Sequence, residues 1–149
     1  MTDVLPEFPD LAQLRRRAKD LLRVVRAGDT AAVGELAAVS DRVDLSAAQL
    51  TLARRHGLGS WPRLKHEVER KNAIHHGDVE ALRGLVRRFP ELASEPDSSC
   101  YGNDSALGYL GVARFHGLTD HDRAGEIAKV LLAAGGAADG RPTRPSRRW

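Results

Sequence analysis

Apolar residues recur every three to four positions through most of the chain, which is the period of an amphipathic helix. The first such stretch runs from Asp10 to Ala27. Asp10 can cap its start, and Gly28 can end it because glycine readily takes the left-handed conformation of a helix C-terminus. The apolar residues that share one side of this predicted helix are Leu11, Leu14, Ala18, Leu21, Leu22 and Val25.

Helix start and stop signals divide the rest of the chain into further segments. Ser46, with Gln49 three residues later, forms a capping box that predicts the start of the third helix. A loop rich in Ser, Asp, Pro and Gly is predicted at 94–104. The six further helices are predicted at 30–39, 46–56, 60–76, 79–89, 105–116 and 123–134. The pattern therefore predicts an all-α fold of about seven helices.

Composition agrees with a helical protein of modest size. The chain has 149 residues, with 42% hydrophobic and 29% charged, which is typical of one globular domain. Ala and Leu are abundant, and these residues favour helix over sheet. We expect a helical domain over residues 1–139 and a basic, disordered tail over residues 140–149, where Gly, Pro and Arg occur without apolar periodicity.

The charge of the chain is concentrated in that tail. The net charge is +3, but residues 140–149 hold four arginines and no acid, which leaves 19 basic and 20 acidic residues elsewhere. Nucleic acid is therefore not the expected partner. The single cysteine, the missing N-terminal apolar segment and the missing long apolar run predict a cytoplasmic protein that does not enter membranes.

Four landmarks occur twice in the same order, which indicates an internal repeat. Gly28-Asp29 matches Gly77-Asp78, and a predicted helix follows directly in both places. A Ser-Ala helix start comes next, and each copy then contains the sequence Ala-Arg-x-His-Gly-Leu, at residues 53–58 and 113–118. A single helix pair cannot bury its own apolar face, whereas two stacked pairs complete a core.

Parts of the second copy resemble an ankyrin repeat. Ser105-Ala106-Leu107-Gly108 resembles the start of the inner helix, and the segment from Val130 to Asp139 resembles the outer helix and its Gly-Ala-Asp ending. Ser60-Trp61-Pro62-Arg63-Leu64 is similar to a segment of bacterial ankyrin proteins, while Thr119 to Asp122 stands as an insertion in the turn. The resemblance implies a short solenoid of stacked helix pairs that binds a protein partner, without cofactor or catalysis.

Residues 46–69 also fit a DNA-binding helix-turn-helix, and this alternative stays open. Ala53 lies four residues before Gly57, which is the core spacing of that motif, and Pro62 in the second helix counts against it. The basic residues that would face phosphates are Arg54, Arg55, Arg63, Lys65 and His66.

No convergent set of acid, base and nucleophile, no cofactor fingerprint and no metal-binding spacing occurs, so we expect neither catalysis nor a cofactor or metal. His75 and His76 diverge by ~100° around a helix. An ankyrin array normally continues after Gly135 to Asp139, so the seventh helix is expected to expose apolar surface, which predicts either self-association or a partner protein there. The candidate partner-binding residues are Trp61, Arg54, Arg55, Arg63, Tyr101, Tyr109 and Phe115.

Overall fold

The predicted all-α fold is confirmed. The structure, a computed structural model, describes residues 5, 6, 8–95 and 105–135, and the helices below are those of these ranges. The helices are α1 (Leu11–Arg26), α2 (Thr30–Ala37), α3 (Leu45–Arg55), α4 (Trp61–His76), α5 (Val79–Arg88), α6 (Ala106–Phe115) and α7 (Ala124–Ala133), with a short 3₁₀ helix at Pro90–Ala93. The predicted tail at 140–149 and most of the predicted loop at 94–104 lie outside the described residues.

Most helix starts follow the predicted caps, and one does not. Asp10 caps α1 as predicted by accepting from Ala12 N at 2.9 Å, and the side chains of Asp29 and Asp78 accept hydrogen bonds from the third backbone N–H of α2 and α5. The predicted Ser46 cap is wrong, because α3 begins one residue earlier at Leu45 and Asp44 accepts from Ala47 N at 2.8 Å. A carboxylate interacts with a helix N-terminus more strongly than a hydroxyl does, since it adds charge to the hydrogen bond.

The chain divides into two compact units, and the division falls inside α4 between Lys65 and His66. Unit 1 comprises residues 10–65 and unit 2 comprises the described residues of 5–9, 66–95 and 105–135. In unit 1, α1 packs on α2 and α3, and α2 also packs on α3. The apolar side of α1 supplies Leu14, Ala18, Leu22 and Val25 to the buried residues, as the periodicity predicted.

Unit 2 has a larger apolar core. In this unit α5 and α6 both pack on α7, and the 3₁₀ helix packs on α5 and α6. The members of its cluster that are at most 1% exposed are Ile74, Leu82, Leu92, Ala93, Ala106, Tyr109, Ala113, Ile127 and Leu131. Pro90 ends α5 as predicted, but the 3₁₀ turn that follows it was not predicted.

The repeated landmarks have the same local geometry in both copies. After α1, Asp29 N donates to Val24 O at 3.3 Å, and after α4, Asp78 N donates to Ala73 O at 3.0 Å. The glycines at these turns have φ of +87° and +67°. After α3 and α6, the leucine of each His-Gly-Leu donates to the alanine five residues earlier, at 2.9 and 2.8 Å. The two copies therefore close their helices with the same turn.

Candidate functional site

The sequence candidates of unit 1 lie around the start of α4 and the end of α3. Trp61 and Arg63 are half-buried, and Arg54 is exposed. The guanidinium of Arg55 donates two hydrogen bonds of 2.9 Å to the carboxylate of Glu35. This bidentate pair holds Arg55 against α2, so that its charge is already compensated.

The helix-turn-helix alternative requires α4 to present its side chains to a DNA groove. Between Leu64 and His75, only Glu69 is exposed, while Lys65, His66 and Asn72 are half-buried and the other residues are buried. A recognition helix contacts base edges with exposed side chains near its N-terminus. The burial of α4 therefore gives this alternative no support.

The candidates of unit 2 differ in exposure. Tyr109 is 1% exposed and belongs to the core, so its prediction as a partner-binding surface residue is wrong. The sequence around Tyr109 does not by itself show whether its ring lies in the core or at the surface. Phe115, at the last residue of α6, is 86% exposed, and its ring meets His116 edge-on at a centroid distance of 5.2 Å. Tyr101 lies outside the described residues.

Charged side chains of α4 form a buried cluster that the sequence analysis missed. Glu67 and Arg70 are both within 1% of complete burial, and Arg70 Nη2 donates to Glu67 Oε2 at 2.6 Å. Arg70 Nη1 donates to the carbonyl of Leu92 at 2.6 Å and to that of Glu95 at 3.2 Å. The guanidinium thus links α4 to the carbonyls at the end of the 3₁₀ helix.

Lys71 and His75 extend this cluster along α4. The Lys71 ammonium is buried and lies 5.2 Å from the centroid of the Tyr109 ring, which attracts it through a cation–π interaction. His75 Nε2 and the Tyr109 hydroxyl are 2.5 Å apart, and the ring of Phe8 lies on His75 at a centroid distance of 4.6 Å. His76, by contrast, is exposed, which confirms that the two histidines diverge.

The side chains of this cluster are closed off from solvent. Glu67, Arg70, Lys71, His75 and Tyr109 are each at most 1% exposed, so no substrate reaches them from solvent in this conformation. Buried charges of this kind fix which helices pack together. A sequence signal did exist, because Glu67 and Lys71 fall at the helical spacing of Leu64, Val68 and Ile74 and therefore share their side of α4.

The predicted insertion between α6 and α7 closes the C-terminal end of α4. His121 Nε2 donates to the carbonyl of Ile74 at 2.7 Å, while its Nδ1 accepts from Arg123 N at 2.9 Å. Asp120 N donates to His75 O, and its carboxylate accepts from His76 Nδ1 at 3.2 Å. This hydrogen bond from His76 lowers the pKa of Asp120 below its ordinary value.

Comparisons with known proteins identify no relative. No family model, curated protein or solved structure matches the chain. Within the described ranges, no helix combines the length and apolar character that a membrane span requires. The same ranges hold no group of three or more His, Cys, Asp or Glu side chains placed to bind a metal ion.

Proposed function

We propose that this protein is a non-catalytic protein-interaction module of ankyrin type, built from two related copies of a helix–turn–helix repeat. The repeated turn geometry after α1 and α4, and again after α3 and α6, supports the relationship between the copies. The charged side chains of Glu67, Arg70 and Lys71 are buried, which supports a structural rather than a catalytic role for them.

The exposure of Phe115 is the observation that carries the proposal. A phenylalanine side chain that is 86% exposed leaves its apolar surface in water. Aromatic side chains of this kind are enriched among the residues that dominate binding at protein interfaces. Arg114 and His116 flank it and are also exposed, which gives the aromatic ring the polar surroundings typical of an interface rim.

Photo-crosslinking in the cells that naturally produce the chain tests this proposal. Phe115 is replaced by benzoylphenylalanine, and Leu132 of α7, which is 42% exposed, is replaced in a separate control. We expect a discrete protein adduct from position 115 that a Phe115→Ala protein does not compete away, while the wild-type protein does. If position 115 yields no adduct that the wild-type protein competes away, Phe115 is not an interface anchor and the proposal fails.

The control also tests the prediction of self-association. In α7, Ile127, Val130 and Leu131 are buried, and Leu132 is an exposed large hydrophobic residue. An adduct from position 132 with the mass of two copies of the chain would identify self-association through α7. An adduct of that mass from position 115 would instead place a second copy at Phe115.

A further inference from the structure

The exposed side of α1 borders a groove of distinctive composition. The groove has a volume of about 360 Å³, and three cations and two leucines line it: Lys19, Arg23, Arg26, Leu22 and Leu45. Lys19, Arg23 and Arg26 are exposed, and Leu45, the first residue of α3, is 37% exposed. The groove therefore combines a row of positive charges with a narrow apolar floor.

Unit 1, which holds this groove, carries a net positive charge. Residues 10–65 contain 11 basic and 6 acidic residues, whereas residues 66–135 contain 8 basic and 11 acidic residues. Asp20, which bonds Arg23 at 3.2 Å, is exposed and does not line the groove. An ion pair between two such exposed side chains contributes little stability and leaves Arg23 available to a ligand.

The spacing of the cations suggests the shape of a ligand. Lys19, Arg23 and Arg26 are separated by four and three residues, so they form a row along about 10 Å of the helix axis. A second amphipathic helix with acidic residues at the same spacing can place its carboxylates along this row. Its neighbouring apolar side chains then meet Leu22 and Leu45, which are the floor of the groove.

We propose that this groove binds an acidic amphipathic helix of a partner protein. The proposal extends the proposed function to a second surface in unit 1 and rests on it only in that the partner is a protein. Membrane insertion is disfavoured because the apolar side of α1 is buried in unit 1. Nucleic acid is disfavoured because no aromatic side chain for base stacking lines the groove.

Fluorescence anisotropy with a labelled synthetic peptide tests the proposal on the full-length protein. The probe is an amphipathic helical peptide with glutamates at i, i+4 and i+7 and leucines beside them, and its control carries glutamine at the same three positions. We expect the glutamate peptide to bind at physiological ionic strength and the glutamine peptide to bind at least about tenfold more weakly, because its charge complementarity is lost. Equal binding of both peptides would overturn the proposal.

Charge-matched variants locate the site. Lys19→Glu with Arg26→Glu reverses two cations of the groove, while Arg87→Glu with Arg88→Glu makes the same charge change at exposed positions of α5, away from the groove lining. We expect about a tenfold loss for the first pair and less than about threefold for the second. Equal losses would show attraction by net charge alone and would overturn the site. Circular dichroism and the neutral pair Lys19→Gln with Arg26→Gln separate a binding loss from misfolding.

Three further results distinguish other occupants. Competition by a DNA duplex at lower concentration than the unlabelled peptide, or by anionic vesicles, would replace the protein helix with a phosphate-bearing ligand. If the wild-type protein is a dimer that the Lys19→Glu with Arg26→Glu variant dissociates, the groove belongs to a second copy of the chain.

Failure of the peptide to bind, together with a Phe115 adduct, would refute this inference and leave the proposed function standing. Peptide binding without a Phe115 adduct would support this inference and refute the role of Phe115 in the proposed function.

Discussion

Replacing Arg70 by methionine removes the cation from the buried cluster while keeping most of the side-chain length. The carboxylate of Glu67, which is 0% exposed, then loses the guanidinium at 2.6 Å, and the carbonyls of Leu92 and Glu95 lose a donor. Breaking a buried ion pair from one side costs about 3–5 kcal/mol. Leaving a buried carbonyl without its donor adds about 1–3 kcal/mol. Since native proteins are stable by about 5–15 kcal/mol, Arg70→Met should remove at least about 4 kcal/mol, a large share of the total.

Urea unfolding followed by circular dichroism measures this loss, and the chain contains a matched control. Arg83 and Glu80 form an ion pair with the same i,i+3 spacing on α5, but their side chains are 43% and 81% exposed. Arg83→Met should therefore cost less than about 0.5 kcal/mol. Adding Glu67→Gln to Arg70→Met should recover part of the loss, because it removes the uncompensated charge. A loss below about 1 kcal/mol for Arg70→Met, or a further loss on adding Glu67→Gln, would refute this account of the cluster.

Two other predictions concern the loop that closes α4. Gly77→Ala should destabilise the protein by more than Gly117→Ala: both glycines have φ near +70°, but an added Cβ at Gly77 would lie 2.6 Å from His121 Cγ, whereas the Cβ position at Gly117 is open. Gly117→Ala should cost about 1–2 kcal/mol for backbone strain alone, and equal losses in thermal unfolding would contradict the steric role of His121. His76→Ala should raise the pKa of Asp120 toward its ordinary value, as measured by carbon NMR. Because the pKa of Asp120 is lowered in the folded protein, its small stabilising contribution is present above the unfolded pKa and is lost as pH falls through the folded value; an unchanged titration would refute the hydrogen bond.

The helices could be predicted because their ends are set by local chemistry. Asp29, Asp78 and Ser105 each accept from a backbone N–H in the first turn of the helix that follows. Such caps depend on neighbouring residues alone, so a sequence carries the full information. The predicted start of α3 is wrong because two residues there, Asp44 and Ser46, are good helix caps. In the structure the carboxylate of Asp44 caps the helix.

The burial of side chains was harder to predict, because burial depends on residues that are distant along the chain. Arg70 donates to carbonyls 22 and 25 residues away, and His75 forms a hydrogen bond with a hydroxyl 34 residues away. Polar side chains of these types are mostly exposed in proteins, so polarity alone favours a solvated position for each of them. The same limit explains Tyr109, which is buried beside His75, and Phe115, whose apolar character did not by itself predict that it is exposed.

A comparison of α1 with α4 shows that the repeat preserves burial while the side chains change. Aligned on their Gly-Asp turns, Ala18 and Leu22 of α1 correspond to Glu67 and Lys71 of α4. All four side chains are buried, with exposed fractions from 0% to 9%. Because Ala18 and Leu22 are apolar, the periodicity of apolar residues predicts the buried side of α1. Because Glu67 and Lys71 are charged, that periodicity is interrupted on the buried side of α4. Because a buried ion pair contributes little net stability but needs specific partners, we expect Glu67 and Arg70 to specify the packing of unit 2 more than they strengthen it.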